Sequence, residues 1–92
     1  MPIRELQFPP KASRTDDADE ILRVLINSDK TMDLAMVRGF NDAATWGTLL
    51  ADVAYHIARA YTEVGDNEVQ AYARIRQTFL EETAKRTGGS NF

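Results

Sequence analysis

NDAATWGTLLADVAYHIARAYTE, residues 41–63, is the stretch on which the reading of this chain turns. Trp46, Leu49, Leu50, Val53, Ala54, Ile57, Ala58 and Tyr61 recur at i, i+3, i+4 and onward, which draws one apolar stripe along a helix. The spacing predicts a helix over residues 42–64. Asn41 or Asp42 can cap it by accepting a bond from a first-turn amide. Phe40 lies just outside and can pack back toward Trp46. Gly47 weakens the helix and, next to a tryptophan, suggests that a strand backbone passes close by. Gly65 ends the helix as the residue suited to a left-handed conformation.

Downstream, Asp66 or Asn67 opens a second helix over residues 67–85. Tyr72, Ile75, Phe79 and Glu82 share a face, with Ala71 beside them. The short connection makes the two helices antiparallel neighbours. Residues 87–92, TGGSNF, read as a flexible tail.

Upstream, residues 20–37 read as a β-hairpin. One arm is Ile21-Leu22-Arg23-Val24-Leu25-Ile26 and the other Thr31-Met32-Asp33-Leu34-Ala35-Met36-Val37, joined by the turn Asn27-Ser28-Asp29-Lys30. Pairing Ile26 with Met32, Val24 with Leu34 and Leu22 with Met36 makes one face wholly apolar. A slip by one residue sets Leu34 opposite Arg23, so the pattern selects the first register. A helix over residues 16–26 is the rival, but the Leu, Val and Ile run favours a strand. Two strands alone are marginal in water. The expectation is therefore an α+β, two-layer domain over residues 20–86, with two helices on the apolar face of the hairpin and Met32, Leu34 and Met36 in its core. Residues 1–19 read as an extended segment and linker, broken by Pro9 and Pro10 and either frayed or docked through Leu6 and Phe8.

Composition narrows function by exclusion. A chain of 92 residues suits one small domain with a modest core, and self-association is a natural source of further burial. The net charge is −3 and the pI about 5.0, with the 11 Lys and Arg residues scattered among acids, so no nucleic-acid face is expected. There is no cysteine, which removes disulfides, thiolate nucleophiles and Cys-based metal sites. Residues 1–17 hold no apolar run of signal-peptide length, and no run reaches the ~20 apolar residues of a membrane span, so a cytoplasmic setting is expected.

His56 is the single histidine. Asp52 lies four residues before it and Arg59 three after, so all three can share one helix surface. They form a candidate ligand-binding set: Asp52 would orient the imidazole and Arg59 would bind an anion. The plainer reading is a solvated face opposite the Trp46 to Tyr61 stripe. No metal-ligand spacing, phosphate loop or nucleophile elbow occurs, so neither cofactor nor metal is expected.

Thr45-Trp46-Gly47-Thr48-Leu49-Leu50-Ala51-Asp52-Val53-Ala54-Tyr55-His56-Ile57-Ala58, followed by Ala73-Arg74-Ile75-Arg76, resembles a family of small, largely alphaproteobacterial domains of unknown function with a WGxLLADxAxHxA helix. The turn Asn27-Ser28-Asp29-Lys30 departs from the glycine frequent there in similar proteins. The resemblance implies a small α+β fold and a bacterial cytoplasmic setting, and it implies no activity. A pyruvate dehydrogenase label attaches to some such proteins; the chain carries no thiamine-diphosphate motif and is too short to hold that cofactor in the usual way.

Two functions remain. The first is a non-enzymatic assembly module, a homodimer joined through the open hairpin. The second is an anionic-ligand binder or minor enzyme using Asp52, His56 and Arg59.

Overall fold

A tight loop sets the first unit of the chain. The Asn27 amide donates to the Thr31 carbonyl at 2.8 Å, and the Lys30 amide to the Asn27 carbonyl at 2.9 Å. Asp29 Oδ1 accepts from the Thr31 amide at 3.0 Å and from its hydroxyl at 2.6 Å. Those bonds hold the Asp29 carboxyl below its ordinary pKa, the hydroxyl bond more than the amide bond. Lys30 closes the loop at φ +70°, the left-handed position that usually falls to glycine in three-residue hairpin loops.

The computed structural model describes residues 3–87. The chain divides into two units, Met1–Gly39 and Phe40–Phe92. In the first, β1 (Leu22–Ile26) pairs antiparallel with β2 (Met32–Met36), with Leu22 opposite Met36, Val24 opposite Leu34 and Ile26 opposite Met32. This is the register that the apolar pattern selects, and each strand is shorter than its predicted arm by end residues only. Ahead of β1, Lys11–Ser13 form one 3-10 turn, tied by the Ser13 hydroxyl to the Pro10 carbonyl at 2.9 Å. Leu6 and Phe8 are exposed and do not anchor the segment. Glu5 instead meets Arg23 at 3.4 Å, and Glu20 meets the same guanidinium at 2.9 Å.

In the second unit, α1 spans Ala43–Ala60 and continues as a 3-10 turn over Tyr61–Val64. Asp42 is the N-cap, its Oδ1 accepting from the Ala44 amide at 2.9 Å. Phe40 packs edge-on to Trp46 with ring centroids 5.6 Å apart, as its position outside the cap predicts. Gly65, at φ +88°, reverses the chain, and its amide returns to the Thr62 carbonyl. Asn67 then caps α2 (Glu68–Thr87), accepting from the amides of Val69 and Gln70. The second helix runs to Thr87, two residues past the expected end; the expected tail beyond it lies outside the described residues.

The helices pack antiparallel. Tyr55 meets Tyr72 edge to face at 6.3 Å, and one turn further along α1 Arg59 meets Glu68, one turn back along α2. Ala58 is fully buried and is the one buried side chain among the described residues. The chain is thus α+β, with an antiparallel hairpin and two helices packed on each other.

Two expectations need correction. A Cβ built on Gly47 meets nothing within 4 Å among the described residues outside its own helix backbone, so the expected close approach is not seen there. Met32, Leu34 and Met36, expected in the core, are 42, 52 and 51% exposed. Period-2 spacing tells which residues share a face, not what lies over it.

Candidate functional site

The helical repeat places Asp52 and His56 one turn apart on α1, and their side chains meet, with Asp52 Oδ2 to His56 Nε2 at 3.5 Å. Both are largely exposed, at 72% and 65%, so water screens the contact and it contributes little. Arg59 does not join them. Its guanidinium lies over the Tyr55 ring, 5.9 Å from the centroid, and its Nε is 3.8 Å from Glu68 Oε1 on α2. That carboxylate oxygen is shielded from water and accepts no hydrogen bond, so the nearby arginine supplies its main compensation. Glu68 also sits in the first turn of α2, where the helix dipole favours negative charge.

The three residues picked from sequence therefore form an exposed pair and a separate arginine, linked through Tyr55. Counting Glu68, the surface carries as many carboxylates as cations when His56 is protonated, and more when it is neutral. An anion gains little there.

More apolar surface gathers elsewhere. On the hairpin, Val24, Ile26, Met32, Leu34 and Met36 line one face with half-buried Leu22, and the five are 42 to 69% exposed. Five side chains of this size at about half exposure make a patch on the order of 500 Å², the upper end of what soluble monomers carry.

The helix pair carries a second apolar surface, a groove of ≈ 870 Å³. Ile57 and Tyr61 line it from the α1 side and Ala71, Ile75 and Phe79 from α2, and Asp66, Arg74, Thr78, Glu82, Thr83 and Arg86 complete its wall. Leu50 and Val53 extend the same stripe toward the start of α1, and both stay over a third exposed. The apolar stripes in the sequence contain all of the apolar residues among these. Reading them as core hides the groove, because helical spacing gives a direction and not a depth. Among the described residues, no three His, Asp or Glu side chains gather closely enough to hold a metal ion, and no helix is long and apolar enough to cross a membrane.

The fold and surface define a small α+β domain with two exposed apolar faces and an acidic net charge. The chain belongs to the family described as "Domain of unknown function (DUF5076)", whose model matches residues 5–87. It is also similar to a solved structure from the photosynthetic bacterium Rhodopseudomonas palustrus CGA009, a protein provisionally called a pyruvate dehydrogenase. Identity is 34%, the likeness covers 89% of this chain and 84% of that one, and the TM-score is 0.71. Comparison with curated proteins gives no match.

Proposed function

We propose that this chain is a small non-enzymatic assembly module that self-associates through its hairpin as a homodimer. One observation carries the reading: the wholly apolar face of β1 and β2 is open to solvent. A two-stranded hairpin is marginal in water, and a face of this size is an incentive to association.

Native mass spectrometry and light scattering on the full chain test the idea. The expected species is a dimer at low micromolar concentration, weakened at least a hundredfold by Leu34→Glu, which sets a charge at the centre of the face. A chain that stays monomeric at high micromolar concentration overturns it.

The second reading is an anionic-ligand surface or minor enzyme at Asp52, His56 and Arg59. The Asp52–His56 contact at 3.5 Å favours it, and the balanced charge of the surface weighs against it. It requires that His56→Ala abolish binding of inorganic phosphate or a small carboxylate in calorimetry, with helix content unchanged. The pyruvate dehydrogenase name belongs to the relative and brings no residue role to this chain.

A further inference from the structure

We propose that α2 pairs antiparallel with α2 of a second copy along the helix groove, about a two-fold axis at the level of Gln77. Every residue of this contact lies in the Phe40–Phe92 unit. It is additional to the hairpin contact proposed above and stands without it.

The groove follows one face of α2. Its lining recurs at Ala71, Arg74, Ile75, Thr78, Phe79 and Glu82, in steps of three and one, as a single helical seam does. From Ala71 to Arg86 the seam runs about 22 Å at ~1.5 Å per residue. Phe79 is 55% exposed on it and Ile75 half-buried. Antiparallel helices bury seams of this spacing against each other.

Charge order selects the occupant. The groove wall carries, in chain order, Asp66, Arg74, Glu82 and Arg86. The four charges cancel, so a small ion gains little there. Read in reverse, the same order gives the opposite sign at every place. A second α2 laid antiparallel therefore sets Asp66 against Arg86 and Arg74 against Glu82, each pair twice. The centres of the two pairs fall at Arg76 and Thr78, about 3 Å apart at ~1.5 Å per residue, which long side chains take up. Ile75 meets Phe79 about the centre between them, Gln77. A parallel copy in register would set like charge against like at all four places.

Arg74 supports the same alignment. Among the described residues it has no hydrogen-bond or ion-pair partner, whereas Glu82 already meets Lys85 and Arg86 on its own helix at 3.4 and 3.3 Å. The second copy gives Arg74 a carboxylate. Because both copies use the same surface, the contact closes at two.

The test is sedimentation equilibrium on the full chain carrying Leu34→Glu, which blocks the hairpin contact and leaves every helix residue unchanged. This chain should dimerise at submillimolar concentration. Adding either Arg74→Glu or Glu82→Arg sets like charges opposite each other across the axis and should weaken the dimer at least tenfold. An equimolar mixture of those two variants should recover the lost affinity as a heterodimer, because each then meets its opposite at both places. Lost helix stability is not repaired by mixing, so recovery separates contact from folding. A Leu34→Glu chain that stays monomeric overturns the inference and leaves the hairpin reading standing. A dimer indifferent to both reversals, or no recovery on mixing, overturns it as well. So do NOEs, in a monomer, from the Phe79 ring to the Met32 or Met36 methyls, which would mean that the chain's own hairpin fills the groove. If a reversal unfolds the helix pair, Thr78→Cys gives a second readout in a chain with no other cysteine. Mild oxidation should link two copies through it, and a dimer that stays unlinked refutes the alignment.

Discussion

Lys30→Gly should stabilise the hairpin. Lys30 sits at φ +70°, where an L-residue with a Cβ loses about 1–2 kcal/mol relative to its right-handed conformation. Glycine avoids that cost but gives up more chain entropy on folding, by roughly 0.5–1 kcal/mol. The difference spans about 0–1.5 kcal/mol and centres on a net gain of about 0.75 kcal/mol, since both backbone bonds across the loop survive the change. Amide hydrogen exchange reads it locally at Asn27, whose N–H closes the loop onto the Thr31 carbonyl at 2.8 Å. Exchange limited by hairpin opening should slow roughly two- to fivefold. Lys30→Ala keeps a Cβ at the same φ and should change little, which separates backbone strain from loss of the lysine side chain. Unchanged or faster exchange at Asn27 in Lys30→Gly, with circular dichroism intact, would refute the reasoning.

Three further outcomes follow from the same geometry. Gly47→Ala should stabilise α1 by about 0.5–1 kcal/mol, because the new methyl meets open space and the helix loses a flexible residue; a lowered melting temperature would contradict this. Ala58→Leu should destabilise the helix pair by about 1–3 kcal/mol, read as reduced thermal stability of the helical signal, because the site has no room for three more carbons. The lowered pKa of Asp29 means that its bonds to Thr31 contribute in full above the ordinary carboxylate value of 3.8 and are lost as pH falls through the lowered one. Acid titration followed at the Thr31 amide should therefore show its shift moving below that value, and Asp29→Asn should abolish the transition.

Much of the fold is legible in the residues. The register follows from Leu22, Val24 and Ile26 having only one apolar set to face, Met36, Leu34 and Met32. The helix ends follow from Asp42, Gly65 and Asn67, whose side chains or backbone freedom satisfy groups that helix termini leave open. Spacing fails where partners come from distant parts of the chain. Arg59 shares a helix surface with Asp52 and His56 in a projection, yet its long side chain reaches Tyr55 and Glu68 instead. Gly47 looks like a close approach because glycine beside tryptophan often marks one, and in this chain it lies on an exposed turn of α1. The exposure of Leu34 and Phe79 could not be read at all, because an apolar stripe is the same whether a chain covers it or a partner does.

Ala58, alone among the described residues in being wholly enclosed, bears on how this protein persists in a cell. If copies associate as proposed above, part of the folding free energy of this chain comes from the surface that one copy covers on the other. Its melting temperature should then climb with concentration, as mass action requires. Scarce copies would be open more of the time and would be cleared first by proteases, while abundant copies would protect one another. Expression level and lifetime would then be coupled, so that halving gene dosage lowers the amount of folded protein by more than half.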